Sequence, residues 1–103
     1  MLESSKGHVD LLLLSTLAQG PTHGYGLVEA LRERSGGVFD FAEGTVYPAL
    51  YRLERQGLVT SRWAEGQTRR RRLYRLTRRG RAELARERGA WEAYANAMRA
   101  VLA

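Results

Sequence analysis

The sequence lacks several features that would assign it to a common class of protein. None of its 103 residues is cysteine, which excludes disulfides, thiolate metal sites and a cysteine nucleophile and gives no sign of an oxidising compartment. Apolar runs such as Leu11 to Leu14 are far shorter than the roughly 20 residues that a membrane-spanning helix needs. Residues 1–10 also lack the basic start and apolar centre of a secretory signal. We therefore expect a cytoplasmic protein with no membrane partner.

Catalytic and metal-binding motifs are missing as well. The sequence has two histidines, His8 and His23, and neither has a second metal-type ligand at a typical spacing beside it. It contains no nucleophile elbow, no Gly-rich phosphate loop, no HExxH motif and no pair of carboxylates in a catalytic setting. We therefore predict no catalytic residue, no metal site and no cofactor, and we expect that the protein is not an enzyme.

Positive charge, in contrast, is abundant and concentrated. The net charge of the chain is +6, although residues 1–42 carry three basic and five acidic side chains and residues 80–103 carry four and three. Residues 43–79 carry ten basic and three acidic side chains, a net charge of +7. Such a concentration is typical of proteins that bind a polyanion, above all nucleic acid. A solvated surface or a site for an acidic partner is the alternative.

Hydrophobic periodicity predicts one domain that begins with helices. The segment Val9 to Gln19 is apolar on nearly every side, as expected of a central helix, and it ends at Gly20 and Pro21. A second helix is predicted over His23 to Arg34, with apolar residues on one face and charged residues on the other.

A third helix combines a core face with a face suited to binding. Its apolar residues recur at helical spacing: Val46, Ala49, Leu50 and Leu53. We predict that this helix begins between Glu43 and Thr45, with Thr45 as its N-cap and Pro48 near its first turn, and that it ends at Gly57. The opposite face is aromatic and basic, and includes Tyr51, Arg52 and Arg55.

A basic hairpin follows the third helix. Leu58 to Trp63 and Arg71 to Leu76 are predicted strands, with Trp63 expected in the core, and four adjacent arginines, Arg69, Arg70, Arg71 and Arg72, lie at the tip of the hairpin. Three helices followed by a two-stranded ribbon are typical of the winged helix-turn-helix fold. The predicted fold class is therefore mainly α with a small two-stranded β-wing.

The last predicted helix runs from its N-cap Thr77 to Leu102, with Gly89 as a candidate bend. At 1.5 Å per residue it is about 38 Å long, so part of its apolar stripe outruns the core and predicts a homodimer. The stripe consists of Leu84, Trp91, Tyr94, Ala95, Met98, Val101 and Leu102. We divide the chain into a DNA-binding domain at residues 1–77 and a C-terminal dimerisation helix at residues 78–103 that packs on the same fold.

Nucleic-acid binding requires cations for the phosphates and side chains that reach base edges. Three residues near the start of the third helix are assigned to base edges or the thymine methyl group: Thr45, Tyr47 and Pro48. Three more are assigned to phosphates or guanine: Tyr51, Arg52 and Arg55. The alternatives are core or dimer packing for the tyrosines, and solvent or an ion pair with Glu54 for the two arginines.

Three segments together resemble the PadR family of regulators: His23 to Tyr25, Gly44 to Val59 and Tyr74 to Gly80. The resemblance implies a winged helix-turn-helix homodimer, usually a bacterial repressor that binds a palindromic operator in double-stranded DNA. It also implies that Tyr25 lies at the DNA together with Thr45, Tyr47, Tyr51 and the arginines at 69–72. Where relatives commonly have Gly-Gly-Arg in the wing, this chain has Gly66-Gln67-Thr68-Arg69.

The resemblance is to the compact branch of the family, which has a single short C-terminal helix. A tryptophan at the position of Trp91 lines a central pore for flat aromatic or cationic drugs in some members, so the resemblance implies such a small-molecule ligand. The alternative for Trp91 is simple interface packing. For the chain as a whole, the alternative function is that of a winged-helix adaptor that binds an acidic protein or RNA.

Overall fold

The computed structural model describes residues 5–64 and 71–103, with the backbone alone for residues 5–7. Within these ranges the chain forms four helices and a three-stranded antiparallel sheet. The helices are α1 (Ser5–Leu17), α2 (Gly24–Arg34), α3 (Glu43–Arg55) and α4 (Arg78–Leu102), and the strands are β1 (Thr22–His23), β2 (Val59–Ala64) and β3 (Arg71–Leu76). This is a winged-helix architecture, as predicted.

Helix α1 is the centre of the core. Its side chains Leu13, Leu14 and Leu17 are almost completely buried, and the helix contacts α2, α3, α4 and β3. The predicted central helix is thus confirmed, although it begins earlier, at Ser5, and ends at Leu17. Among residues 5–64 and 71–103, no helix has the length and apolar character that crossing a membrane would require.

The sheet contains one strand more than predicted. In β1, Thr22 pairs with Tyr74 and His23 pairs with Leu73, so that β3 lies in the middle of the order β1-β3-β2. Two residues are too short for a strand to show alternation in sequence, which explains why β1 was not predicted. Because His23 is also the residue that precedes α2, this short strand fixes the start of α2 against the wing.

Helix α3 begins within the predicted range, at Glu43, but its N-cap differs from the prediction. Ala42, in extended conformation and without a side-chain capping bond, precedes the helix, so Thr45 is its third residue and not its N-cap. Pro48 lies in the second turn, later than expected, and the carbonyl of Gly44 therefore has no α-helical donor four residues on. Gly44 is an exposed residue, so water has access to the position of this carbonyl group.

The start of α4 agrees with the prediction and is firmly anchored. The Thr77 hydroxyl accepts a hydrogen bond from the Gly80 amide at 2.9 Å and donates to the Gly57 carbonyl at 2.7 Å. Gly80 presses against the Leu58 carbonyl so closely that a Cβ atom would overlap it. The helix continues without interruption through Gly89 to Leu102. The first turn of α4 is therefore attached to the start of β2.

Two aromatic or aliphatic residues lie in places other than those expected. Trp63 was expected in the core, but 50% of its surface is exposed. It shares the face of Val59 and Ser61 on β2, but along this face the residues go from buried at Val59 to exposed at Trp63. Leu84 was expected at the dimer interface, but it is only 5% exposed and belongs to the core of its own chain. The exposed part of the α4 stripe begins at Trp91.

Candidate nucleic-acid interface

Helix α3 separates its residues sharply into a buried and an exposed face. Val46, Ala49, Leu50 and Leu53 are buried in the core. All residues of α3 that sequence reasoning assigned to DNA are exposed: Thr45, Tyr47, Pro48, Tyr51, Arg52 and Arg55. Tyr51 is the most open of the tyrosines on this helix, with 64% of its surface exposed. The helix therefore presents an aromatic and basic surface to solvent.

Tyr47 is held in place by the start of α2. Its ring packs against Gly24 so closely that a Cβ atom at that position would overlap the ring. A larger residue at this position would therefore displace the Tyr47 ring. Tyr25, the next residue of α2, is 49% exposed beside it. The two tyrosines thus lie side by side at the junction of the two helices.

The two arginines of α3 have different surroundings. Arg52 forms an ion pair with Asp10 of α1, and not with Glu54, the acidic partner considered from the sequence. The guanidinium of Arg55 lies 5.7 Å from the centroid of the Tyr51 ring, in cation–π geometry. Arg52 is therefore engaged by a carboxylate, whereas Arg55 is supported by an aromatic ring and keeps its charge available.

Of the four arginines at positions 69–72, the two that the structure describes, Arg71 and Arg72, also differ from each other. Arg71 is exposed, and its guanidinium nitrogen lies 3.3 Å from the Nε2 atom of His23. Arg72 is half-buried: its Nε donates to Ser61 Oγ at 2.9 Å, and its guanidinium lies 5.0 Å from the centroid of the Trp63 ring. Arg69 and Arg70 lie outside the described residues.

Ser61 extends this contact to α3. Its hydroxyl donates to a carboxylate oxygen of Glu54 at 2.7 Å. Glu54, Ser61 and Arg72 therefore form a continuous hydrogen-bonded chain from α3 to the wing. Burial, followed by the negative charge of Glu54, raises the pKa of Tyr74, the strand residue that pairs with Ser61. Tyr74 is therefore a neutral phenol at physiological pH.

A cleft of about 540 Å³ lies between the starts of α2 and α3 and the two wing strands. His23, Tyr25, Tyr47 and Arg71 are among the residues that line it. Sequence reasoning placed His23 at the start of the second helix and gave it no function. Its position in this cleft depends on strand β1, for which the local sequence gives no signal. The cleft joins the exposed face of α3 to the wing in one continuous surface.

The second exposed surface lies on the distal half of α4. Trp91, Tyr94 and Met98 are 42%, 44% and 37% exposed, and Val101 and Leu102 are more open still. The His8 ring of α1 meets the Trp91 ring edge-on, with their centroids 5.1 Å apart. All of these side chains except Val101 line a shallow, mainly apolar depression of about 530 Å³, together with Ala95 and Arg99. His8, considered from the sequence only as a metal ligand, is thus part of an apolar surface.

Comparison with known proteins agrees with this architecture. Residues 13–86 match the transcriptional regulator PadR-like family. The chain is 39% identical over 92 residues to the transcriptional regulator Rv3488 of Mycobacterium tuberculosis, an alignment that covers 89% of this chain and 83% of that protein. A transcriptional regulator from Clostridium thermocellum has a similar structure, with a TM-score of 0.85, 31% identity and coverage of 91% of this chain and 92% of that one.

A further similar structure is that of Bacillus subtilis PadR in complex with operator DNA. Its TM-score is 0.70 at 26% identity, and the match covers 76% of this chain and 44% of that one. The family match spans most of the chain, and it agrees with the winged-helix fold and with the resemblance seen in the sequence. The chain belongs to the PadR-like family of transcriptional regulators.

Proposed function

We propose that this regulator is a sequence-specific DNA-binding repressor that acts as a homodimer on a palindromic operator. The observation that carries the proposal is the continuous exposed surface formed by α3, the start of α2 and the wing, in which tyrosines and arginines alternate. Exposed aromatic side chains can contact sugars and base edges, while arginines neutralise phosphates. The similar Bacillus subtilis protein, whose structure contains operator DNA, supports the same use of the fold.

Within this surface the residues divide by position. We assign the residues at the start of α3 to the major groove, and the exposed arginines to phosphates. The groove residues are Thr45, Tyr47 and Pro48; Tyr25 and Tyr51 flank them. The phosphate contacts are Arg52, Arg55 and Arg71, together with Arg69 and Arg70 on sequence grounds alone. Arg52 must exchange Asp10 for a phosphate when DNA binds.

The distal half of α4 supplies the second copy. The chain itself leaves the apolar stripe of α4 exposed. The same stripe on a second, symmetry-related copy is the simplest surface that can cover it. In such a dimer the two α3 helices would have to lie about 34 Å apart to reach successive turns of the same DNA face. The Trp91 surface then lies near the dimer axis, and we propose it as the site at which a flat aromatic or cationic molecule releases the repressor from its operator.

A salt series with three nucleic acids tests this function. The purified protein is titrated with a palindromic operator duplex recovered by genomic footprinting, a random duplex of equal length and a single-stranded RNA. We expect tighter binding to the operator than to the random duplex at every salt concentration, with affinity falling linearly on a log–log plot as salt rises. Equal binding to all three would contradict the specific repressor and favour an adaptor that recognises any acidic partner.

A further inference from the structure

Arg71 and Arg72 of the wing are neighbours in sequence, but their side chains have different surroundings. Arg71 is exposed, whereas Arg72 is half-buried and donates a hydrogen bond from Nε to Ser61 Oγ. The Arg72 guanidinium lies over the ring of Trp63, its direct cross-strand partner in the β2–β3 ladder, 5.0 Å from the ring centroid. One of its N–H groups and its cationic centre are therefore already engaged within the protein.

The other end of this contact lies on α3. Ser61 Oγ accepts a hydrogen bond from Arg72 Nε and donates one to Glu54, which is half-buried near the end of α3. Glu54 is an anion on an element that otherwise presents Arg52 and Arg55, and its charge opposes that of Arg72 through a single hydroxyl group. Arg72 thus links the hairpin to α3 and contributes less free positive charge than Arg71.

We propose that Arg72 is a positioning residue that fixes the angle between the wing and α3, so that Arg71 meets the phosphates next to the groove that α3 enters. This inference rests on the proposed DNA-binding function. We call the four side chains that make this connection the bracket: Glu54, Ser61, Trp63 and Arg72. Strand β1 supports β3 only at Leu73 and Tyr74, so the part of the wing that contains Trp63 and Arg72 is two-stranded. Two strands alone are only marginally stable, and a wing that must hold a cation at a defined distance from a helix therefore needs a lateral attachment of this kind.

Lysine distinguishes a positioning role from a charge contact. It keeps the positive charge and can still contact a phosphate, but it has no Nε–H at the corresponding position and no planar group to stack on an indole. If Arg72 acts through its charge, lysine will substitute for it. If Arg72 acts through the bracket, lysine will not. The same substitution at Arg75, an exposed arginine of the same strand to which no DNA contact is assigned, is the matched control.

The experiment measures affinity and its salt dependence for the wild type, Arg72→Lys and Arg75→Lys on two operator duplexes. The long duplex extends beneath the wing, and the short duplex is cut back so that these outer phosphates are absent. We expect Arg75→Lys to bind both duplexes within about two-fold of the wild type. We expect Arg72→Lys to bind the long duplex at least about ten-fold more weakly, yet to match the wild type on the short one, because the wing no longer finds its phosphates.

A second variant separates the bracket from the side chain itself. Ser61→Ala removes both hydrogen bonds while leaving Arg72 and every charge in place. It should reproduce the loss on the long duplex, and the double variant with Arg72→Lys should lose no more than either single one, since both break the same connection. If Arg72→Lys does not fold, as judged by thermal melting, Ser61→Ala alone decides the question.

Two outcomes would overturn the inference without touching the proposed function. In the first, Arg72→Lys and Ser61→Ala both bind the long duplex like the wild type. In the second, Arg72→Lys is weakened equally on both duplexes, so that the loss does not come from the wing. Failure of the proposed function looks different, because the wild-type protein itself would then show no preference for the operator over a random duplex.

Discussion

The molecule exposes aromatic side chains in two regions, and the two groups differ in what surrounds them. On the α2–α3–wing surface, Tyr51 lies beneath Arg55 and Trp63 lies beneath Arg72. On the distal half of α4, Trp91 lies instead beside the rings of His8 and Tyr94, in a mainly apolar depression whose lining includes the cationic Arg99. An aromatic ring beneath a cation suits a polyanion, whereas a ring among apolar groups suits a protein surface or an apolar ligand.

The comparison teaches that exposure alone does not identify a partner. Tyr47 and Tyr94 differ little in exposure, at 39% and 44%, yet their neighbours assign them to different tasks. The following predictions test that division, beginning with the change expected to have the largest effect.

Charge introduced into the α4 stripe should abolish the dimer and with it the operator complex. We expect Tyr94→Asp combined with Met98→Asp to give a folded monomer in sedimentation. Its affinity for the palindrome should fall about 100-fold or more, because the second half-site no longer binds at high effective concentration. The control is Ala93→Asp combined with Ala100→Asp, which adds the same charge to exposed positions on the opposite side of the helix. A control as defective as the variant would contradict the assigned face.

Removal of the Thr45 hydroxyl should impair binding selectively. Thr45→Val preserves the shape and the methyl group, and because Thr45 does not cap α3, fold stability should change little. We expect a loss of about 1–3 kcal/mol confined to operators that retain the contacted base pair. Competition between the natural operator and single-base variants measures this. An equal loss on every duplex would show that Thr45 positions the helix and does not read a base.

Release of Arg52 from its carboxylate should strengthen DNA binding slightly. Asp10→Asn breaks the ion pair with Arg52, and since exposed ion pairs contribute about 0.2–1 kcal/mol, the expected gain is at most about five-fold and larger at low salt. The control is Asp40→Asn, which changes the net charge equally but breaks the pair with Arg32. An equal gain from both variants would attribute the effect to net charge alone.

The smallest predicted effect lies at the boundary between the buried and exposed parts of α4. Burial, together with the neighbouring carboxyl of Glu83, raises the pKa of Glu87 above its ordinary value of 4.5. The folded state therefore holds the proton more tightly than the unfolded state, and the charged form destabilises the protein once the pH exceeds the raised pKa. Glu87→Gln should increase the melting temperature slightly near neutral pH. The difference from the wild type should vanish as the pH falls below 4.5, and a difference that persists there would contradict this origin.

Local sequence predicted the elements whose determinants are local. The core face of α3 follows from four apolar residues at helical spacing, and Thr77 was recognised as a cap because a hydroxyl residue precedes a long helical pattern. Thr45 carried the same type of signal and was misassigned, because the packing of Val46 into the core extends α3 back to Glu43 despite the poor cap at Ala42. Tertiary packing thus outweighed capping preference.

Contacts between distant residues could not be predicted in this way. Asp10 and Arg52 are 42 positions apart, and no local pattern relates them. The chain from Glu54 through Ser61 to Arg72 depends on the register of β2 and β3 and on where α3 ends. Leu84 fits the α4 stripe by spacing alone, but only the packed fold shows that it lies in the core and that the free stripe begins at Trp91.

The attachment of α4 at its first turn makes the helix a lever. Gly80 and Leu84 are its buried residues in the described structure, and from Leu84 to Leu102 the helix extends by about 27 Å. A tilt of only about 10° at Gly80 would move the far end by roughly 5 Å, close to one helical turn. The close contact between Gly80 and the Leu58 carbonyl lies at the pivot. A small tilt of α4 beside the wing can therefore become a large displacement at its far end, where a second subunit would bind. Conversely, a displacement of the far end would tilt the first turn of α4 beside the wing.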